Sequence, residues 1–503
     1  MWFTSNRDSR MIFLLVVFIA SFFVFTHLRA LRIRSSAHAS SDSSQWGYPK
    51  GLWPKPPWQF DASRDAFNYG LSDEQCDAAF PGLFAEIYRA RDHLLKHNKT
   101  ISREDVHLYH DEEWAGRPHY ELHVLLYEGE LYILHQNDGV WPHHYRAVAG
   151  LANLYRALTA MPDPRRALPN VEFVLNADDY YARPDEPGFA DGRPRFSWNR
   201  HVDDPWTWVM PDFGGWMFSD DGVQSYAQFR ADVVLVEHEY IAAGEGQPGG
   251  GGGWDDKIPK LAWRGSMGLG ESLRHALVDA AAGHDWSDVA PMEILADQNI
   301  RKNVMDMADF CRYKEPTYAP GGKQYLAHTE GLSWSGRLRY LMNCESVPLI
   351  HEREWVAHFY PLLVASGPRQ NYVAVQRDWS DLAARMRELE KDPARGRRIA
   401  REVAATFRDR YLTPAAEACY WRRLVAVYAS VLGFEPESHY YVIENEEEVD
   451  DTEGGSEGDG SRQKKNMRKR KRRGVSFPYY LTPAPYSKFG FLESDRGRYE
   501  AEG

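Results

Sequence analysis

The stretch VEFVLNADDYYARP, Val171 to Pro184, joins an unbroken apolar run to a pair of carboxylates. A run of this length and composition, ending at turn-forming residues, reads as a strand buried on both faces, the pattern of a parallel sheet. Asp178 and Asp179 follow it directly, where open α/β sheets place their ligands. Upstream, Ser72-Asp73-Glu74-Gln75 has the form of a capping box, and Phe80, Leu83, Phe84, Ile87 and Tyr88 fall on one helical face. Alternating residues on either side of Glu128-Gly129 predict a hairpin, and a helix follows from His144 to Thr159. Downstream, ADVVLVEHE (Ala231 to Glu239) fits a short strand or a helix end, and Gly244 to Gly253 is a glycine-dominated loop. KLAWRGS then reads as strand into loop, followed by helices at Glu271 to Ala282 and Ser335 to Cys344. Strands at SVPLIH and Asn371 to Val375 and long helices at Trp379 to Asp409 and Pro414 to Leu432 complete the pattern. Strands alternating with helices indicate an α/β protein of doubly wound halves.

Composition narrows the function. A chain of 503 residues exceeds one compact core and predicts two or three domains. Its net charge of −12 argues against a nucleic-acid partner, whose binding rests on neutralising phosphates. Seventeen Trp, 28 Tyr and 23 Phe are more than an average core needs, and flat rings with a polar handle suit sugars and bases as well as cores.

The two ends differ in kind from the middle. MIFLLVVFIASFFVFTHL, Met11 to Leu28, carries no charge, Gly or Pro. Eighteen helical residues span ~27 Å, about a thin bilayer's hydrocarbon core. No small-x-small cleavage site follows, so the run is expected to stay as a signal-anchor rather than be removed. Arginines flank it on both sides, which leaves orientation to other features. Asn98-Lys99-Thr100 is a glycosylation sequon, and the four cysteines lack C-x-x-C spacing. Two disulfides or four buried thiols fit; a membrane anchor favours disulfides. ENEEEVDDTEGGSEGD from Glu444, followed by KKNMRKRKRR from Lys464, reads as a disordered tail with a dibasic processing motif as the sharper alternative.

Three segments carry ionisable groups after strand runs. Asp178 and Asp179 offer a carboxylate that can act as general base on a hydroxyl acceptor. WRGSMGLGESLR, Trp263 to Arg274, is a Gly/Ser-rich turn opening a helix and bearing Arg264, Gly265, Ser266 and Arg274. EGLSWSGRLRYL, from Glu330, again leads small residues, Ser335 and Gly336, into a helix bearing Arg337. Two such openings suggest a diphosphate clamp, with guanidinium forks and helix N-terminal amides matched to phosphate oxygens. The residues alone give an anion site beside a carboxylate. A two-carboxylate glycoside hydrolase or a non-catalytic carbohydrate-binding protein on the same fold are the competing readings.

Taken in order, FVLNADDYYARP, VMPDFGGW (Val209 to Trp216), WDDKIPKLAWRGS and CRYK…KQYLAHTEGLSWSGRLRYLMNCESVPLI resemble glycosyltransferase family 90, from about Leu71 to Leu432. That resemblance implies two Rossmann-like domains of GT-B type behind the transmembrane helix, and a metal-independent, inverting transfer from a UDP-sugar. It implies no cofactor, with UDP-xylose or UDP-glucose as donor and a glycan or protein hydroxyl as acceptor. Asp179 matches the family's catalytic base, and Arg264, Ser266, Ser335 and Arg337 match positions that hold UDP. The resemblance pairs Cys311 with Cys344, and on that pairing Cys76 goes with Cys419. Tyr181 stands where the animal members have Pro, and the Cys311 to Lys323 insertion is longer. The expected division is a cytosolic tail (1–10), anchor (11–28), stem (29–70), acceptor-side domain (71–230), UDP-sugar-binding domain with closing helices (231–443) and tail (444–503). The catalytic part would then lie in the lumen of the Golgi or endoplasmic reticulum, as a type II membrane protein.

Overall fold

The computed structural model describes residues 58–108, 120–137, 143–180, 183–184, 192–216, 225–244, 254–268, 270–295, 300–302, 310–311, 322–438, 440–445 and 467–481. The expected anchor, the cytosolic tail, most of the stem, the glycine loop, Tyr181 and the insertion after Cys311 lie outside them. Among the described residues no helix is long and apolar enough to cross a membrane. Apart from Trp58, the described residues belong to one unit, Gln59–Gly503.

Two sheets organise that unit. The first contains β1 (Glu121–Tyr127), β2 (Glu130–Gln136), β3 (Val171–Asn176), β4 (Phe196–Ser197) and β6 (Trp208–Val209), with β5 (Asn199–His201) set between the last two in sequence. β1 and β2 form the expected hairpin, and both turn residues, Glu128 and Gly129, have positive φ, as a tight two-residue turn requires. β3 is buried along its whole length, but it pairs antiparallel with β1 and parallel with β4. The sheet is therefore mixed, where an apolar run alone had pointed to parallel neighbours.

The second sheet is parallel throughout: β7 (Ile258–Gly265), β8 (Ser287–Pro291), β11 (Lys323–His328), β12 (Val347–His351) and β14 (Val373–Val375). Between them in the chain, β9 (Glu293–Leu295) pairs with β10 (Ile300–Lys302), and β13 (Trp355–Ala357) pairs with β5. The spatial order β14-β12-β11-β7-β8 is a doubly wound 2-1-3-4-5 order. Its direction of winding reverses between β7 and β11, and such a switch point opens a crevice at the carboxyl ends of the two strands. Burial follows: Leu261, Ala262, Leu326, Leu349 and Ile350 are fully enclosed. The chain is thus a mixed α/β protein with parallel sheet at its centre.

Helix boundaries depart from the sequence pattern at prolines and glycines. The capping box is formed, with Ser72 Oγ accepting from Gln75 N and Gln75 Oε1 from Ser72 N. Its helix nevertheless stops at Ala79, because Pro81 and Gly82 (φ +84°) end it, and a second helix runs Ala85–Lys96. Pro393 likewise divides the long run after Trp379 into Leu382–Lys391 and Pro393–Val403. The segment left open at Ala231 is helix, within Tyr226–Gly244.

The four cysteines are paired. Cys311–Cys344 closes a short loop and Cys76–Cys419 ties the helix Asp73–Ala79 to the helix Pro414–Ala429. That last helix packs on the helix His143–Thr159 beside the first sheet. The disordered-tail expectation is corrected over part of 444–503. β16 (Met467–Arg472) pairs with β15 (Tyr440–Asn445), and β17 (Val475–Ser476) adds antiparallel to β2 at the edge of the first sheet. The dense basic charge of this stretch hid it; Val475, Phe477 and Tyr480 bring apolar surface to the core.

Candidate active site

The three segments singled out in the sequence meet at the switch point. After β7 the chain turns through Ser266 to Gly270 and opens the helix Glu271–Ala281. Gly270 has φ +64°, and a Cβ there would sit 2.8 Å from the Gly331 carbonyl oxygen. Only glycine lets this turn press against the segment that follows β11. Arg274 crosses the same seam, donating from Nε to Glu330 O over 3.3 Å and from Nη1 to Ser266 O. Arg337 donates to the carbonyl of Arg264. Trp263 Nε1 donates to Thr329 Oγ1 over 3.1 Å.

The β11 segment is itself held rigidly. Glu330 is buried, and its carboxylate accepts from Trp355 N at 2.9 Å and from Arg377 Nη1 at 2.9 Å. His351, at the end of β12, accepts at Nε2 from Glu330 N and donates from Nδ1 to Glu352 O. Burial holds that imidazole down at about 4, so it stays neutral and keeps this tautomer.

The first sheet supplies the carboxylates. Asp178 is buried, accepting from Tyr120 N at 3.2 Å and lying 2.5 Å from His143 Nδ1. Asp179 is different. Its side chain is 48% exposed and meets Arg146 Nη1 at 2.7 Å. Its main-chain oxygen is gripped from both halves, by Asn199 Nδ2 at 2.6 Å and by Ser333 Oγ at 2.8 Å. Arg183, four residues on, donates to Leu332 O. The peptide is fixed while the carboxylate faces open space.

The arginines divide into two kinds. Arg274 is buried and Arg337 partly so, and the hydrogen bonds of both go to main-chain carbonyls. Neither forms an ion pair with a carboxylate among the described residues. Burial, and after it the neighbouring Arg274 charge, push Arg337 down to about 10; burial also lowers Arg274. Two adjacent cations without counter-charge are costly, and the arrangement is matched to an anion. Arg264 is not of this kind. Its guanidinium lies 2.5 Å from Asp288 on β8, and Asp288 also meets Lys323 at 3.2 Å. Only the Arg264 carbonyl reaches the cluster.

Gly265 allows no side chain, since a Cβ would meet the Trp263 ring at 2.4 Å. Ser266 contributes its carbonyl to Arg274, and Ser335 and Gly336 precede a helix of five residues, Arg337–Leu341. That helix is shorter than the Ser335 to Cys344 run predicted, so its N-terminal amides add little. Reading the sequence missed Arg146, His143, Asn199 and the direct role of Ser333. His143-His144-x-Arg146 opens a helix and carried the same kind of signal as the two Arg-bearing turns. Among the described residues no three His, Cys, Asp or Glu side chains gather as metal ligands. Asp204 accepts from Trp206 N in its own turn, and Asp255 meets Arg397.

The family model described as "Glycosyl transferase family 90" matches residues 91–488. Protein O-glucosyltransferase 3 of Rattus norvegicus is 30% identical over 129 residues, 26% of this chain and 23% of that protein. Protein O-glucosyltransferase 2 of Danio rerio is 25% identical over 280 residues, 52% of this chain and 48% of that protein. The O-glucosyltransferase rumi homolog of Aedes aegypti is 26% identical over 297 residues, 55% of this chain and 65% of that protein. The matched portion is thus between about a quarter and two thirds of the length of these relatives.

Proposed function

The chain belongs to glycosyltransferase family 90, and from that premise we propose that it moves a sugar from a UDP-sugar to a hydroxyl of a glycan or protein acceptor, with inversion. The observation that carries this reading is the Arg274–Arg337 pair, two cations that have no carboxylate partner among the described residues at the switch point. Asp179, exposed and positioned by Ser333, supports the role of general base. It takes the proton of the acceptor hydroxyl as that oxygen attacks the anomeric carbon. The bond from that carbon to the diphosphate breaks, and Arg274 and Arg337 stabilise the charge gathering on UDP. Arg146 orients the Asp179 carboxylate until the acceptor arrives. Buried Asp178 braces the segment through His143. Arg264 acts through its carbonyl and through Asp288, holding Arg337 in place, while Ser266 and Ser335 line the nucleotide's approach.

The names of the relatives favour glucose as the transferred sugar, with xylose the next candidate. In this reading the two sheets are the halves of a GT-B enzyme, no metal ion is needed, and Met11 to Leu28 anchors the chain with its catalytic part in the Golgi or endoplasmic reticulum lumen. The two disulfides support an oxidising compartment.

The test is UDP release by the full chain, purified in detergent, against a panel of UDP-sugars with and without chelator. Wild type releases UDP from one or two donors, whereas Asp179→Asn binds UDP and releases none. An Asp179→Asn variant with wild-type turnover would sink the base assignment.

A further inference from the structure

Just past β12, Arg353 lies over two tyrosine rings, 5.3 Å from the centre of Tyr360 and 5.6 Å from that of Tyr372. No hydrogen bond or ion pair joins its guanidinium to any described residue, and its Nη1 is buried without a partner. The Tyr360 hydroxyl is likewise buried and unpartnered among the described residues. Of the neighbouring acids, Glu330 and Glu354 both pair with Arg377, at 2.9 and 2.7 Å, while Glu352 lines the same cavity as Arg353.

Both residues line a cavity of 450 Å³, together with Glu352, Trp355, Tyr372 and Val202. This falls within the volume range of small-molecule sites. Trp355 is the shared wall. It also lines a second cavity of 270 Å³ with Arg183 and Leu332, and its ring stands 5.1 Å from that of Tyr180, the residue after Asp179. The Trp355 ring therefore links the cavity to Tyr180, the neighbour of the proposed base.

We propose that this cavity is an acceptor subsite that takes a carboxylate-bearing sugar, a uronic acid unit of a glycan; the proposal rests on the transferase reading given above. A planar fork oriented by two rings pairs with a carboxylate through two parallel hydrogen bonds. The Tyr360 hydroxyl and the Glu352 carboxylate supply a donor and an acceptor for ring hydroxyls. An acidic peptide brings a carboxylate but no ring hydroxyls to meet the Tyr360 hydroxyl and the Glu352 carboxylate together.

Titration of the full chain with trigalacturonate, maltotriose and a Glu-rich tripeptide, followed by calorimetry at low salt, tests this directly. Trigalacturonate binds and the other two do not. Arg353→Met weakens that binding at least tenfold, Arg353→Lys restores part of it, and UDP affinity stays unchanged in both. Equal affinity for trigalacturonate in wild type and both variants, or tighter binding of the tripeptide, overturns the proposal. Arg353→Lys keeps the charge without the planar fork, so partial binding by it leaves the comparison intact if Arg353→Met folds poorly. Failure of every UDP-sugar to release UDP, with Arg353-dependent uronate binding preserved, removes the transferase reading and not the subsite.

Discussion

The Ser333 hydroxyl donates to the main-chain oxygen of Asp179 over 2.8 Å, across 154 positions of sequence. One hydroxyl thus joins the loop after β11 to the loop after β3, and with Asn199 it fixes where the Asp179 peptide lies. A base must sit within hydrogen-bond reach of the proton it takes, and small displacements there cost rate rather than binding.

Ser333→Ala is therefore expected to lower kcat roughly tenfold, about the value of one hydrogen bond, while the Kd for UDP is unchanged. Steady-state kinetics with donor saturating, set beside UDP calorimetry, separates the two. Equal losses in kcat and UDP affinity would assign Ser333 to the nucleotide site instead.

The two kinds of arginine predict opposite phenotypes. Arg337→Met removes a charge-assisted contact to the nucleotide and should weaken UDP binding by roughly 10- to 100-fold. The same change relieves an uncompensated cation, so Tm should hold or rise. Arg264→Met strands Asp288 with Lys323 as its remaining partner, and its main effect is a lowered Tm with a smaller loss of UDP affinity. Thermal melts with and without UDP read both quantities.

Gly270→Ala tests the seam between the two turns. With φ at +64° and a contact of 2.8 Å to Gly331 O, the added methyl must displace one loop from the other. A stability loss of about 1–2 kcal/mol is expected from the backbone alone, with a weakened UDP Kd as the turn shifts. Unchanged UDP affinity would mean that the Ser266 to Gly270 turn does not touch the nucleotide.

Glu172 makes the acid limb of stability predictable. Burial pushes its carboxyl up, but hydrogen bonds from His123 and Arg473 outweigh burial and hold it at about 2, below the ordinary 4.5. A depressed carboxylate contributes stability that is fully present above the unfolded value and is lost as pH falls through the folded one. The window is therefore pH 4.5 down to about 2, and the contribution is roughly 3 kcal/mol. Glu172→Gln should flatten denaturant-derived stability across that window. A variant with the wild-type slope would show that other carboxylates set it.

Much of this was legible from residue patterns, and the exceptions have physical causes. The strand at Val171, the hairpin at Glu128-Gly129 and the turn at Ser266 to Gly270 are local, so periodicity and glycine placement specify them. The switch point was not legible in this way, because the pattern does not single out β11 as a strand and winding order is a long-range property. What could not be read was long-range pairing. Nothing near Arg264 announces that Asp288 will take its guanidinium, since that depends on register between neighbouring strands. Arg146 meets Asp179 only because the helix His143–Thr159 starts beside β3. Proline and glycine interrupted helices whose apolar spacing continued unbroken past them. The sparse apolar residues after Lys464 gave a strand no periodic signature.

That late strand sets a timetable for synthesis. β17 covers the outer edge of β2, and Arg473 reaches Glu172 on β3. The first sheet emerges from the ribosome hundreds of residues before these partners do. Until Val475 and Ser476 arrive, β2 presents an unpaired edge, the kind of surface that recruits other chains. Cys76 must likewise wait for Cys419. The amino-terminal half is made first and finished last, so its newborn form is an open sheet with a lone thiol in need of shelter.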